Sequence, residues 1–71
     1  MEPKYFMIYR EGPINEMGPT PIFLGIDKDN HEIETQISKQ AKHFTELNLA
    51  TDAAERMNRK TGQKWKIHAI F

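Results

Sequence analysis

The stretch LNLATDAAERMNRKTGQKWKIHAIF, residues 47–71, decides the fold. Leu47, Ala50, Ala54 and Met57 recur at intervals of three and four, the spacing of one helix face. This spacing predicts a helix from Leu47 to Lys60. Gly62 suits the left-handed residue that ends a helix. Alternation then predicts a strand over 65–71, in which Trp65 and every second residue after it meet the helix.

The start of the helix has alternatives. Thr45 or Glu46 lies where a cap is expected, whereas a start at Thr51 would leave only about ten helical residues. A third interpretation is one longer helix from about Ile37, with Ala41 and Phe44 on its apolar face. We favour the start near Leu47.

The preceding part of the chain favours strands. A strand is predicted over 4–10, an irregular exposed loop over 12–21 because of its glycines and prolines, and a strand over 21–26 with Gly25 at a bulge or close approach. Asp27 to Asn30 supplies turn chemistry, and alternation predicts a half-exposed strand over 32–38, with Glu32 and Glu34 on its wet face. The expected fold is α+β: a single domain over 1–71, built as a small two-layer βββαβ sandwich with an antiparallel sheet and one helix.

Composition limits the function. The chain has no cysteine, which excludes disulfides, thiolate chemistry and sulfur-based zinc sites. Ten basic and ten acidic residues balance, so no global field attracts nucleic acid or an anionic membrane. No apolar run reaches the roughly 20 residues of a membrane span, and the first residues do not resemble a signal peptide, so we expect a cytoplasmic protein that does not bind membranes.

Catalytic and ligand-binding motifs are absent. Ser38 has no glycine-flanked elbow, no phosphate-binding glycine motif occurs, and the histidines lack metal-ligand spacing. The segment 27–32 offers oxygen ligands at alternate positions but lacks the glycine and distal glutamate of a calcium loop, so a hairpin turn is the better interpretation. We therefore expect no enzyme, no cofactor and no metal.

Lys42-His43-Phe44, Ala50, Ala53-Ala54, Met57, Gly62 and Trp65-Lys66-Ile67 form a pattern that resembles small phage-encoded accessory proteins. In those proteins an aromatic residue precedes an Ala-rich helix and a short terminal strand. The resemblance covers residues 42–71. It implies a protein that binds host or phage proteins, including host defence machinery, and acts as a modulator or inhibitor in the host cytoplasm.

The candidate binding residues are basic or apolar, and they are Arg56, Arg59, Lys60, Lys64, Lys66, Tyr5, Tyr9 and Met17. Half of the basic residues lie within eleven positions of this neutral chain, which predicts recognition of an acidic protein patch. Tyr5, Met7 and Tyr9 share one strand face, so an uncovered sheet face predicts a protein interface or a homodimer, unless the 12–21 loop covers it. The alternative function is a small nucleic-acid-binding domain, in which this basic cluster neutralises phosphates and sheet aromatics stack on bases.

Overall fold

The computed structural model describes residues 2–71, which form one four-stranded antiparallel sheet and one α-helix. In chain order the elements are β1 (Tyr5–Asn15), β2 (Gly18–Ile26), β3 (Glu32–Thr35), a 3₁₀ turn (Ser38–Gln40), α1 (Leu47–Thr61) and β4 (Lys66–Ile70). The strand order is β3-β2-β1-β4. The predicted α+β class and βββαβ element order are confirmed.

The helix α1 forms as its apolar spacing predicts. Ala50, Ala53, Ala54 and Met57 are buried against the sheet, and Gly62 ends the helix at φ 73°. Glu46 occupies the cap position but its side chain makes no capping hydrogen bond. Leu47 was expected on the buried face and is 54% exposed, because the first turn of α1 extends beyond the core residues.

The core lies between α1 and the sheet face that carries Phe6 and Ile8. Ile8 and Leu24 are completely enclosed, and Phe44 and Trp65 are buried in the same cluster. Trp65 and Ile67 pack against this core as predicted. Phe71, which alternation places on the same face, is 61% exposed, because it lies beyond the last residue of β4.

The prediction of an irregular loop over 12–21 is wrong. β1 and β2 continue into a hairpin arm, and only Glu16 and Met17 form its turn. A register shift between Glu11 and Ile14 places Pro13 in a β-bulge. β3 pairs with β2 only from Phe23 onward, so the prolines of β2 lie where one edge of that strand is open.

The longer helix from Ile37 does not form. Residues 41–44 cross the sheet, where β1 and β2 separate, and this segment is called the crossing segment below. Phe44 exchanges two backbone hydrogen bonds with Phe6, both of 2.8 Å, and Ala41 bridges to Gly25. A side chain at Gly25 would collide with the Gln40 backbone, so the predicted close approach at this glycine is confirmed.

The strand predicted over 32–38 ends earlier, at Thr35. The Thr35 hydroxyl accepts a hydrogen bond from the Ile37 N–H and donates one to the Gln40 side chain, which turns the chain toward the crossing segment. Pairing with Leu24 and Ile26 puts Glu34 and Glu32 on the helix side of the sheet. There Arg56 reaches Glu32, and Arg10 reaches Glu34 at 2.7 Å.

Candidate binding surface

The sheet face away from α1 is the main candidate for a binding surface, and we call it the open face. Because side chains alternate along a strand, Tyr5, Met7 and Tyr9 lie opposite to Phe6 and Ile8, as the sequence predicts. Their partners in β4 are Ile70, His68 and Lys66. Phe23 of β2 pairs with Tyr9 and lies on the same face. The helix α1 lies on the other side of the sheet, and the 3₁₀ turn Ser38–Gln40 packs on the open face at Gly25 and Thr35.

Two adjoining depressions mark the open face. The larger, of ≈ 530 Å³, contains Met7 and extends from Tyr5 and His43 to Ile70. The smaller, of ≈ 220 Å³, is lined by Tyr9, Pro21, Phe23 and His68. Phe23 and His68 belong to both, so the depressions form one elongated surface across β2, β1 and β4.

Aromatic contacts hold the side chains of this surface in place. The Tyr5 and His43 rings stack with centroids 3.8 Å apart and an interplanar angle of 14°. The Tyr9 ring lies 6.2 Å from Phe23 and meets the His68 ring edge-on at 6.3 Å. Ring pairs at such distances attract one another, so these side chains are oriented before any ligand binds.

The crossing segment explains the position of His43. Phe44 is buried in the core and Phe6 holds its backbone by two hydrogen bonds. Neighbouring side chains of an extended segment point to opposite sides, so His43 lies against Tyr5 on the open face. Lys42 takes the helix side, where its ammonium lies 5.3 Å from the Phe44 ring centroid. Ser38 and Lys39 then border the larger depression.

The five predicted basic residues occupy different parts of the fold. Arg56 and Arg59 line one groove of ≈ 500 Å³ on the helix side of the sheet. Lys60 follows on α1, close enough to act on the charge of Glu32. Lys64 is exposed between α1 and β4, whereas Lys66 lies on the open face beside Tyr9. The structure therefore distributes this cluster over two sides of the domain.

Two of these cations form ion pairs. Arg56 donates two hydrogen bonds to the Glu32 carboxylate, at 2.7 and 2.6 Å, and these bonds lower the pKa of Glu32 below its ordinary value and raise that of Arg56. Lys66 donates to Glu11 at 2.9 Å, which likewise lowers the pKa of Glu11 and raises that of Lys66. The Glu11–Lys66 pair gives the open face a charged rim that carries no net charge.

Met17 lies far from these groups. It is 97% exposed at the tip of the β1–β2 arm, where its N–H donates to the Asn15 side chain at 2.8 Å. Ile14, on the same arm, is 81% exposed. The arm is thus a second apolar projection, separate from the open face.

The acidic segment before β3 forms the predicted hairpin turn. One Asp27 carboxylate oxygen accepts hydrogen bonds from the N–H groups of Asp29 and His31, both of 2.9 Å, and Asn30 adopts φ 64°. The potential ligand atoms of Asp27, Asp29 and His31 lie within 4.8 Å of one another. Asp29 and His31 are exposed, and the Asp27 oxygen already stabilises the turn.

Sequence reasoning missed Phe23, Pro21 and His43 as parts of the surface. Phe23 could have been found, because it alternates with the buried Leu24. His43 carried no local signal, because its position depends on where the crossing segment enters the sheet.

Within the described residues 2–71, no helix has the length and apolar character needed to cross a membrane. Comparison of the chain with family models, with curated proteins and with solved structures finds no match.

Proposed function

We propose that this chain is a non-enzymatic protein-binding module that acts by occlusion through its open face. The observation that carries the proposal is the contrast between the two sides of the sheet. On one side, α1 covers Ile8 and Leu24, which are buried; on the other, Tyr9, Phe23 and Ile70 are only partly buried. A contiguous apolar surface with a polar rim is typical of protein interfaces.

The shape of the open face supports a protein partner. Its two depressions adjoin and run across three strands, and the Glu11–Lys66 ion pair and Lys39 border them. The domain measures 34 × 27 × 24 Å, so one face can supply the roughly 800 Å² that each partner contributes to an ordinary interface. A small domain bound in this way would block whatever site of the partner lies beneath it.

The resemblance of residues 42–71 to small phage accessory proteins supplies the biological part of the proposal. In that role the chain is a phage-encoded modulator or inhibitor of a host protein, including a defence protein, and acts in the host cytoplasm. No cofactor or metal takes part.

The test compares three immobilised proteins in parallel captures from a host lysate: the parent, Tyr9→Glu and Leu49→Glu. Tyr9 lies on the open face, whereas Leu49 is an exposed residue of α1 on the opposite side. A partner that the parent and Leu49→Glu retain equally, and that Tyr9→Glu retains about tenfold less, supports the proposal. Equal retention by all three contradicts it. Thermal melts of the variants provide the check on folding.

Nucleic-acid binding is the second candidate, because Tyr9, Phe23 and His68 present aromatic rings on a sheet face. We rank it lower, since Trp65 is buried in the core and Lys66 is paired with Glu11. Titration of a fluorescent single-stranded oligonucleotide at two salt concentrations tests it. Binding that weakens steeply with salt would favour this function.

A further inference from the structure

The outer edge of β4 differs from the other edge of the sheet. The sheet order makes β3 and β4 the two edge strands. β3 has four residues, two of them the glutamates Glu32 and Glu34. β4 has five residues, of which only Lys66 carries a permanent charge, and Glu11 binds that charge on the open face. Charged side chains discourage edge-to-edge pairing, and β3 carries two of them in four residues whereas β4 carries one in five, so β4 is the less protected edge.

The hydrogen bonds of Phe6 show which β4 backbone groups face outward. Both the N–H and the C=O of Phe6 bond to Phe44, on the side of β1 away from β4. Phe6 therefore exchanges no hydrogen bonds with Ala69, the residue opposite to it in β4. Bonded and non-bonded pairs alternate along an antiparallel ladder, so Ala69 and Ile67 direct their N–H and C=O groups away from β1. His68 and Ile70 direct theirs toward β1.

We propose that two copies of this chain pair along β4 in antiparallel orientation about a two-fold axis. Ile67 of each copy then exchanges two backbone hydrogen bonds with Ala69 of the second copy, and His68 faces His68 of the second copy at the axis. In this register both outward-facing residues of β4 find partners within β4. If the register shifts in either direction and the two-fold symmetry is kept, either Ile67 or Ala69 pairs with a residue outside the strand, which is Phe71 or Trp65.

The second copy is the occupant that fits this edge. Two-fold pairing brings an uncharged segment, 67–70, against an identical uncharged segment, and places Lys66 opposite Ile70 of the second copy instead of opposite another cation. The four-stranded sheet of each copy becomes half of an eight-stranded sheet, with both helices on one side. The two open faces lie side by side and uncovered. This dimer is independent of the proposed binding function and differs from a dimer through Tyr5, Met7 and Tyr9.

Sedimentation of the full chain from about 5 to about 500 µM tests the pairing, since a dimer responds to concentration. Ala69→Pro removes an outward N–H and leaves the β1–β4 ladder intact, so the dimer dissociation constant should rise at least about tenfold. Leu49→Glu, at an exposed position of α1, is the matched control and should leave the constant unchanged. Tyr9→Glu tests the alternative dimer through the open face. A parent chain that stays monomeric throughout overturns the proposal, as does a dimer that Tyr9→Glu disrupts and Ala69→Pro does not.

A second pair of variants tests the register and does not depend on proline. His68→Glu and His68→Lys each place two like charges together at the axis, and His68 is exposed, so both variants should fold and be mostly monomeric. An equal mixture of the two should recover a heterodimer through opposite charges. If the mixture stays as monomeric as its components, the register with His68 at the axis is wrong.

Discussion

Replacement of Trp65 by alanine tests the packing of α1 on the sheet. Trp65 is 4% exposed and belongs to the core cluster with Ile8 and Met57. Its indole N–H donates to the Thr61 hydroxyl at 3.0 Å, and its backbone N–H donates to the Asn58 side chain at 2.6 Å. These two hydrogen bonds connect Trp65, just before β4, to the last turn of α1.

The magnitude follows from what the substitution removes. Loss of a buried tryptophan ring costs about 3 to 5 kcal/mol of unfolding free energy. The lost indole hydrogen bond adds little, because the Thr61 hydroxyl still donates to the Met57 carbonyl and accepts from the Gln63 N–H. A chain of this length has a total stability of roughly 4 to 10 kcal/mol. Trp65→Ala therefore removes about half of the stability.

The assay is urea unfolding followed by far-ultraviolet circular dichroism, because the substitution removes the single tryptophan and with it the fluorescence signal. Trp65→Phe is the control: it keeps a ring in the core and loses only the indole N–H and some volume, so it should cost about 1 to 2 kcal/mol. A loss below about 1 kcal/mol in Trp65→Ala would contradict the packing described for this core.

Three further predictions concern the sheet and its charges. Gly25→Ala should lower the unfolding free energy by about 1 to 3 kcal/mol, measured in urea, because the new methyl group overlaps the Gln40 backbone in the 3₁₀ turn. Glu32→Gln should make the unfolding free energy less dependent on pH. Arg56 lowers the pKa of Glu32 in the folded state, so the ionised carboxylate stabilises the fold at pH values above its unfolded-state pKa. This stabilisation is lost as the pH falls through the folded-state pKa. Melts at neutral and acidic pH should therefore differ less in the variant than in the parent, and an unchanged difference would contradict this. Reversal of Arg59 and Lys64 to glutamate should leave the melting temperature nearly unchanged and slow association with an acidic partner at low salt, measured by binding kinetics; an unchanged on-rate would remove these residues from the recognition surface.

The helix and β4 were predictable because their signals are local. The Ala-rich apolar face of α1 and the glycine that ends the helix at position 62 can both be recognised from residues close together in the sequence. The alternation of Trp65 and Ile67 likewise identified the core side of the last strand. Leu47 shows the limit of such reasoning, since an apolar residue at the right spacing stays exposed where no sheet residue lies opposite it.

The β1–β2 arm was not predictable from residue counts alone. Glycine and proline disfavour a strand in the centre of a sheet, but they are tolerated in a two-stranded arm where one edge of each strand is open. A turn signal was present: Asn15 accepts a hydrogen bond from Met17, and Gly18 adopts φ 104°. Asn15 and Gly18 directly flank the turn residues Glu16 and Met17, and they favour a hairpin over an irregular loop.

The candidate surface was predictable only in part. Alternation along β1 correctly predicted that Tyr5, Met7 and Tyr9 share a face, because this prediction needs only the pattern of a single strand. The basic cluster is dense in sequence, but a helix, a turn and a strand carry its members to different sides of the domain. The ion pairs that Glu11 and Glu32 make with it join residues far apart in the chain, so no local pattern indicates them.

Met7 connects the fold to the proposed binding function. It is 5% exposed although it points away from α1, whereas its neighbour Ile8 is enclosed by the core on the helix side. Met7 lines the larger depression, and the stacked rings of Tyr5 and His43 border that depression. The open face therefore has an apolar floor and aromatic walls, while Tyr9 and Phe23 beside it are still partly exposed. A partner that inserts an apolar side chain there would bury area on rings that are already oriented, so it would lose little side-chain entropy on binding. This preorganisation is the physical reason to expect recognition at the open face before the basic residues of α1 or the exposed tip at Met17.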